Sequence, residues 1–243
     1  INTKVEDNFK LTPQILKEKI TDKSKVLVLP FPSNPTGAIM TREDLLEIVD
    51  IIKENNIFVL SDEIYSELTY GRKHCSIAEI NEMQERTIIV NGFSKAFAMT
   101  GWRLGYLAAP EPIVTQILKI HQYAIMCSPT VSQYAAIEAL KNCENEVEKM
   151  VNEYDKRRRL LVDSFNNMGL ECFNPEGAFY VFPSIKSTGL SSEEFCERLL
   201  FEQKVAVVPG NAFGESGEGF IRVSYAYSLK HLIEALKRIE KFI

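Results

Sequence analysis

Thr87-Ile88-Ile89-Val90-Asn91-Gly92-Phe93-Ser94-Lys95-Ala96-Phe97-Ala98-Met99-Thr100-Gly101-Trp102-Arg103-Leu104-Gly105-Tyr106-Leu107-Ala108-Ala109 sets one lysine between two short apolar runs, with a serine just before it and an arginine eight residues after it. Residues 87–90 read as a buried strand and 104–109 as another, so Lys95 sits where a strand ends and not on a solvated helix face. Burial there disfavours an ammonium and frees the amine to attack a carbonyl, giving a Schiff base. A solvated lysine in a Gly-rich turn is the commoner case. The segments upstream decide between the two.

Residues 58–65, Phe58-Val59-Leu60-Ser61-Asp62-Glu63-Ile64-Tyr65, form an apolar strand that runs into an acid, with a tyrosine three positions later. A carboxylate at a strand end can pair with a pyridine nitrogen and keep the ring an electron sink, and a phenol beside it can donate to the ring's 3-oxygen. Asp62 reads equally as a helix N-cap, and Tyr65 as a half-buried packing residue. Residues 25–30 form a further apolar strand, and Ser33-Asn34-Pro35-Thr36-Gly37 follows as a turn. Asn34 then lies at a third strand end, where its amide could bond the same 3-oxygen or a substrate carboxylate, although Asn-Pro in a turn needs no function to explain it. Near the C-terminus, Gly219-Phe220-Ile221-Arg222-Val223-Ser224-Tyr225 alternates as a strand does. Arg222 among apolar neighbours is a fork suited to a carboxylate, or an edge-strand arginine facing water.

The Asn-Pro-Thr-Gly turn, the Asp-Glu-Ile-Tyr step, the Ser-Lys-x-Phe-x-Met-x-Gly-x-Arg-x-Gly block and the C-terminal Arg-Val-Ser strand occur here in one order. In that order they resemble the class I/II aminotransferases, fold type I enzymes that use pyridoxal 5′-phosphate. The resemblance covers essentially the whole chain. It implies that Lys95 carries the cofactor as a Schiff base and moves a proton, and that Asp62 partners the pyridine nitrogen. It also implies that Tyr65 and Asn34 hold the 3-oxygen, that Ser94 and Arg103 bind phosphate, and that Arg222 clamps the substrate α-carboxylate. The implied activity is transfer of an amino group between an amino acid of aspartate or aromatic type and a 2-oxo acid, in a homodimer. A carbon-sulfur β-lyase shares the lysine and the aspartate, and the Met-Thr-Gly-Trp-Arg-Leu-Gly-Tyr segment favours the aminotransferase. The family's small-residue phosphate turn and ring-stacking aromatic are not identifiable in residues 1–25, and the chain starts with Ile1. The expectation is therefore a chain lacking its N-terminal section, with a non-catalytic fragment as the other outcome.

Around these motifs, helical periodicity over 42–55 behind a Thr41 cap, then over 111–126 and 131–140, alternates with the strands. The fold class expected is α/β: a mostly parallel sheet with flanking helices over residues 1–150, and a smaller α+β domain over residues 151–243. The second domain should hold strands at 178–183, 205–208 and 220–225 and helices at 191–203 and 229–243, after a long charged helix over 144–168.

With 45% hydrophobic and 25% charged residues the chain is ordinary globular material. A net charge of −5 argues against a nucleic-acid surface. No apolar run approaches the roughly 20 residues that span a bilayer. Lys156-Arg157-Arg158-Arg159, inside a helical pattern, reads as a solvated face or an interdomain contact. Five cysteines without close spacing are expected as free thiols in a reducing, cytoplasmic setting. His74, His121 and His231 lack partners at ligand spacing, so no metal site is expected, and His74 reads as a loop histidine.

Overall fold

The computed structural model describes residues 1–243, which divide into two compact units. The first contains residues 10–32 and 39–151 together with Ile1; the second contains 2–9, 33–38 and 152–243. Two short N-terminal segments thus join the second unit, and the turn bearing Asn34 is one of them.

The first unit is built on strands β1 (Val26–Leu29), β2 (Phe58–Asp62), β3 (Thr87–Gly92) and β4 (Gly105–Ala108), hydrogen-bonded in that order. β1, β2 and β3 run parallel, whereas β4 returns antiparallel to β3 with Gly92 opposite Gly105. A parallel neighbour requires a crossover, and the helix Arg42–Glu54 supplies it between β1 and β2. That helix starts at the expected cap. Thr41 Oγ1 accepts from Asp44 N at 3.2 Å while Asp44 Oδ2 accepts from Thr41 N at 2.7 Å, a reciprocal capping box. Its apolar face buries Leu45, Ile48, Val49, Ile51 and Ile52. Helices Glu111–Ala124 and Thr130–Asn142 follow β4, and the 24-residue helix Glu144–Asn167 begins in the first unit and ends in the second.

The second unit has an antiparallel sheet of β5 (Tyr180–Val181), β7 (Ile221–Ser224) and β6 (Val208–Pro209), with β7 central. Helices Ser192–Gln203 and Leu229–Phe242 begin at the caps Ser191 and Ser228. Its core is aromatic: Phe182 stacks on Phe220 with centroids 5.0 Å apart, and Phe9 meets both rings edge-on. Such geometry adds to what burial alone contributes.

Four expectations are corrected. The strand expected at 178–183 narrows to Tyr180–Val181, and that at 205–208 moves to Val208–Pro209, because four-residue β7 is the only ladder available to both. Lys95 lies in a single helical turn, Phe93–Ala96, where a loop was expected. The basic run is not simply a solvated face: Arg158 donates to Asp155 and Pro175 O, contacts Asn174, and its side chain is only 12% exposed. No helix is long and apolar enough to cross a membrane.

Candidate active site

In the first unit the candidate residues collect at the carboxyl ends of parallel strands, where open α/β sheets place their ligands. Asp62 is the last residue of β2, and its Oδ1 accepts from Ile64 N at 3.2 Å. Beyond it, Ser66 N donates to Glu63 O and Leu68 N to Tyr65 O, turns that bring Tyr65 into a buried position. On neighbouring β3, Val90 is the register partner of Asp62, and the helical turn with Lys95 starts three residues after Val90, at Phe93. The turn splits its side chains by face. Phe93 and Ala96 are buried, so Ser94 and Lys95 point to the half-buried side. The Lys95 ammonium lies 6.0 Å from the Tyr65 ring centroid, which brings the two candidates together.

The turn needs a glycine before it. A Cβ on Gly92 would approach Gly105 Cα to 2.9 Å and Leu104 O to 3.0 Å across the β3–β4 pair. The lysine loop is then closed by its own polar groups: Thr100 Oγ1 donates to Ser94 O at 2.8 Å, and Arg103 Nη1 donates to Thr100 O at 2.8 Å. Arg103 adopts a left-handed backbone at φ 53° and leaves its guanidinium exposed. Thr100 thus links Ser94 to Arg103, a role sequence reading missed although the threonine stands within the quoted stretch. Phe93 and Met99 pack on Ala136 and Ala139, and Ser132 Oγ donates to Trp102 O at 2.7 Å, which ties the loop to helix Thr130–Asn142. Burial pushes the Tyr106 phenol up, reinforced by the charges of Glu67 and Glu63.

In the second unit, Arg222 Nη1 donates to Asn34 Oδ1 at 2.8 Å. The guanidinium lies over two aromatic faces, 4.5 Å from the Tyr180 centroid and 4.9 Å from that of Phe213. Its Nε is buried without a hydrogen-bond partner. Neither aromatic was picked out from sequence. The signal for Tyr180 was its place on a strand beside Arg222, which needs the pairing of Tyr180 with Ser224 to be seen. The Asn34 turn is set by Gly37 at φ 71°, whose N–H donates to Ser33 O and whose carbonyl accepts from Glu176 N and Gly177 N.

His74 is no idle loop histidine: its Nε2 lies 3.3 Å from Glu63 Oε2.

A lysine amine, a carboxylate at a strand end, a phenol, and a serine next to an arginine-bearing loop are the donor set that an aldehyde, a pyridine nitrogen, a ring oxygen and a phosphate require. The residues of the first unit therefore fit pyridoxal phosphate in chemical type. Together with the α/β fold, this set defines the class of protein. The chain belongs to the class I and II aminotransferase family, whose pattern it matches over residues 1–239. Members of this family are pyridoxal phosphate-dependent. It is 49% identical over 246 residues to an aspartate aminotransferase of Pyrococcus abyssi, and 48% identical over 246 residues to aromatic-amino-acid aminotransferase 2 of Thermococcus litoralis. In both cases all of this chain and 63% of the relative are covered. The structure of an aromatic aminotransferase from Pyrococcus horikoshii superposes with a TM-score of 0.96 at 48% identity, covering 99% of this chain and 65% of that one. The chain thus spans just under two thirds of the length of these relatives.

Proposed function

We propose that this chain is the lysine-bearing part of a pyridoxal phosphate-dependent aminotransferase that moves an amino group between an amino acid of aspartate or aromatic type and a 2-oxo acid. The observation that carries this reading is the Lys95 turn at the carboxyl end of β3, beside the Asp62–Tyr65 segment at the end of β2. Both substrate types are named among its relatives.

Each residue then has a task its chemistry suits. Lys95 is the amine that would hold the cofactor through its aldehyde, and its Nζ is the group that would move a proton at the substrate carbon. Asp62 keeps the ring nitrogen protonated, and Tyr65 donates to the 3-oxygen. Ser94 and Arg103 take the phosphate, Arg103 with the guanidinium donors that its bond to Thr100 O leaves over. In the second unit Arg222 takes a substrate carboxylate. Its guanidinium lies over the Tyr180 and Phe213 rings, and Asn34, also proposed to bond the 3-oxygen, accepts from its Nη1. When bound, pyridoxal phosphate supplies an electron sink that stabilises negative charge at the substrate carbon.

A cytoplasmic homodimer is part of the same proposal. Tyr123, Met126 and Tyr134, on or just after helices Glu111–Ala124 and Thr130–Asn142, are 96%, 77% and 71% exposed, and apolar surface of that extent supports a covering partner.

The test is borohydride reduction of the whole protein loaded with pyridoxal phosphate, followed by mass mapping and by an assay of amino transfer from aspartate and from phenylalanine to 2-oxoglutarate. The reading expects the label on Lys95 and transfer from at least one donor; a label elsewhere, or loading without transfer, would overturn it.

A further inference from the structure

Asp62 stands between two residues that face away from it. Ser61 and Glu63 are buried while Asp62 is half-buried, as the two-residue period of an extended chain requires. Glu63 is 5% exposed, an unusual place for a carboxylate, and such a group persists only when its oxygens are satisfied. They are. Oε1 accepts from Ser61 Oγ at 2.9 Å and from Ser76 Oγ at 2.6 Å, and His74 Nε2 lies 3.3 Å from Oε2. Burial alone would push this carboxyl up, but the contacts with His74 and Ser76 outweigh it and hold Glu63 below the usual carboxylate range.

The main chain is pinned at the same place. Glu63 N donates to Val90 O at 2.8 Å, extending the β2–β3 pairing one residue past Asp62, and Ser66 N donates to Glu63 O at 2.9 Å. The loop that supplies His74 and Ser76 is itself braced, because Ser76 caps the short turn Ile77–Glu79 in a reciprocal bond with Glu79. The end of β2 is therefore fastened by main chain to β3 and by one carboxylate to the 74–76 loop. Turning the backbone at Asp62 would strain the Glu63 N–Val90 O bond and the Glu63 carboxylate's bonds to Ser61 and Ser76 together.

We propose that Glu63 is a positioning residue: anchored by Ser61, Ser76 and His74, it holds the end of β2 in the one backbone arrangement from which the Asp62 carboxylate meets the cofactor's ring nitrogen. The inference rests on the role proposed above for Asp62. It differs from a general stabilising role in one measurable respect. A residue that acts through Asp62 matters only for a cofactor that has a ring nitrogen.

The experiment compares the affinity of the whole apoprotein for pyridoxal phosphate and for 1-deazapyridoxal phosphate, in which carbon replaces that nitrogen, by fluorescence titration of wild type, Glu63→Ala, Glu63→Gln and Asp62→Ala. Glu63→Ala is expected to weaken pyridoxal phosphate about tenfold, the size of a lost bond to a charged group, and to leave the deaza analogue within about twofold. Glu63→Gln keeps an acceptor for both serines and is expected to recover most of the loss. Equal losses for the two cofactors, or none for either, would overturn the proposal. If Glu63→Ala does not fold, Ser76→Ala carries the same comparison. The Asp62→Ala arm tests the underlying assignment separately: wild-type affinity there means that Asp62 does not meet the nitrogen, whatever Glu63 does.

Discussion

Arg222 and Asn34 stand 188 residues apart in the chain and 2.8 Å apart in the fold, the Nη1 of one donating to the Oδ1 of the other. A guanidinium fixed at one corner by an amide and set against the Tyr180 and Phe213 rings has little freedom left to lose when an anion arrives.

Replacing Arg222 should therefore act on substrate and not on cofactor. Arg222→Lys keeps the charge but loses the fork and the stacking, and it should raise the KM for amino acids by roughly tenfold to a hundredfold while pyridoxal phosphate affinity stays unchanged. Steady-state kinetics beside a cofactor titration decide the point, and an unchanged KM would remove Arg222 from the substrate site.

Lys95→Ala should leave far-UV dichroism intact, since the buried residues of its turn are Phe93 and Ala96. It should abolish the borohydride-fixed label and lower amino transfer by at least about 10³-fold, because covalent and proton-transfer roles are lost together. A persistent label would show another lysine holding the cofactor.

Gly37→Ala should destabilise the second unit. The position has φ 71°, and an added Cβ would meet Pro175 Cβ at 2.3 Å and Gly177 O at 2.8 Å. A clash with a backbone carbonyl in a left-handed conformation should cost about 2 kcal/mol or more, read as a lower urea midpoint. A midpoint equal to wild type would show that the turn can shift without loss.

Glu63 makes stability depend on acid. Its folded-state pKa is depressed, so its contribution is present above the unfolded value, about 4.3, and is lost as the pH falls through the lower folded value. Glu63→Gln should be less stable than wild type at pH 7, and the gap should close below about pH 4. Urea melts at several pH values test this; a gap that does not vary with pH would mean the charge contributes nothing.

The thiols should separate by position. Burial pushes Cys172 and Cys196 up to about 12, whereas Cys127 is exposed. A disulfide reagent at pH 8 should label Cys127 quickly and the other two only on unfolding, as mass mapping over time would reveal. Rapid labelling of Cys172 would contradict its buried placement.

Much of the architecture was legible because its signals are local. Thr41 with Asp44, Ser191 and Ser228 mark helix starts within four residues, and the apolar period of residues 42–54 sets which face is buried. The runs at 58–62 and 87–92 have strand composition, which placed Asp62 at the end of one and Lys95 just past the end of the other. Strand extent in the second unit was less legible. Val205 to Val207 have the composition of a strand but no ladder partner, and pairing is a property of two segments.

By itself the sequence determined the order of the elements, the lysine loop with its glycine and arginine, and membership of one family, since these depend on residue type at short, unchanging spacings. Only the tertiary structure decided that Arg222 rests over Tyr180 and Phe213 against Asn34, and that Glu63 closes on Ser76 and His74. Those contacts join segments whose separation in sequence carries no record of their distance in space, and they exist only once burial has forced buried polar groups to find one another.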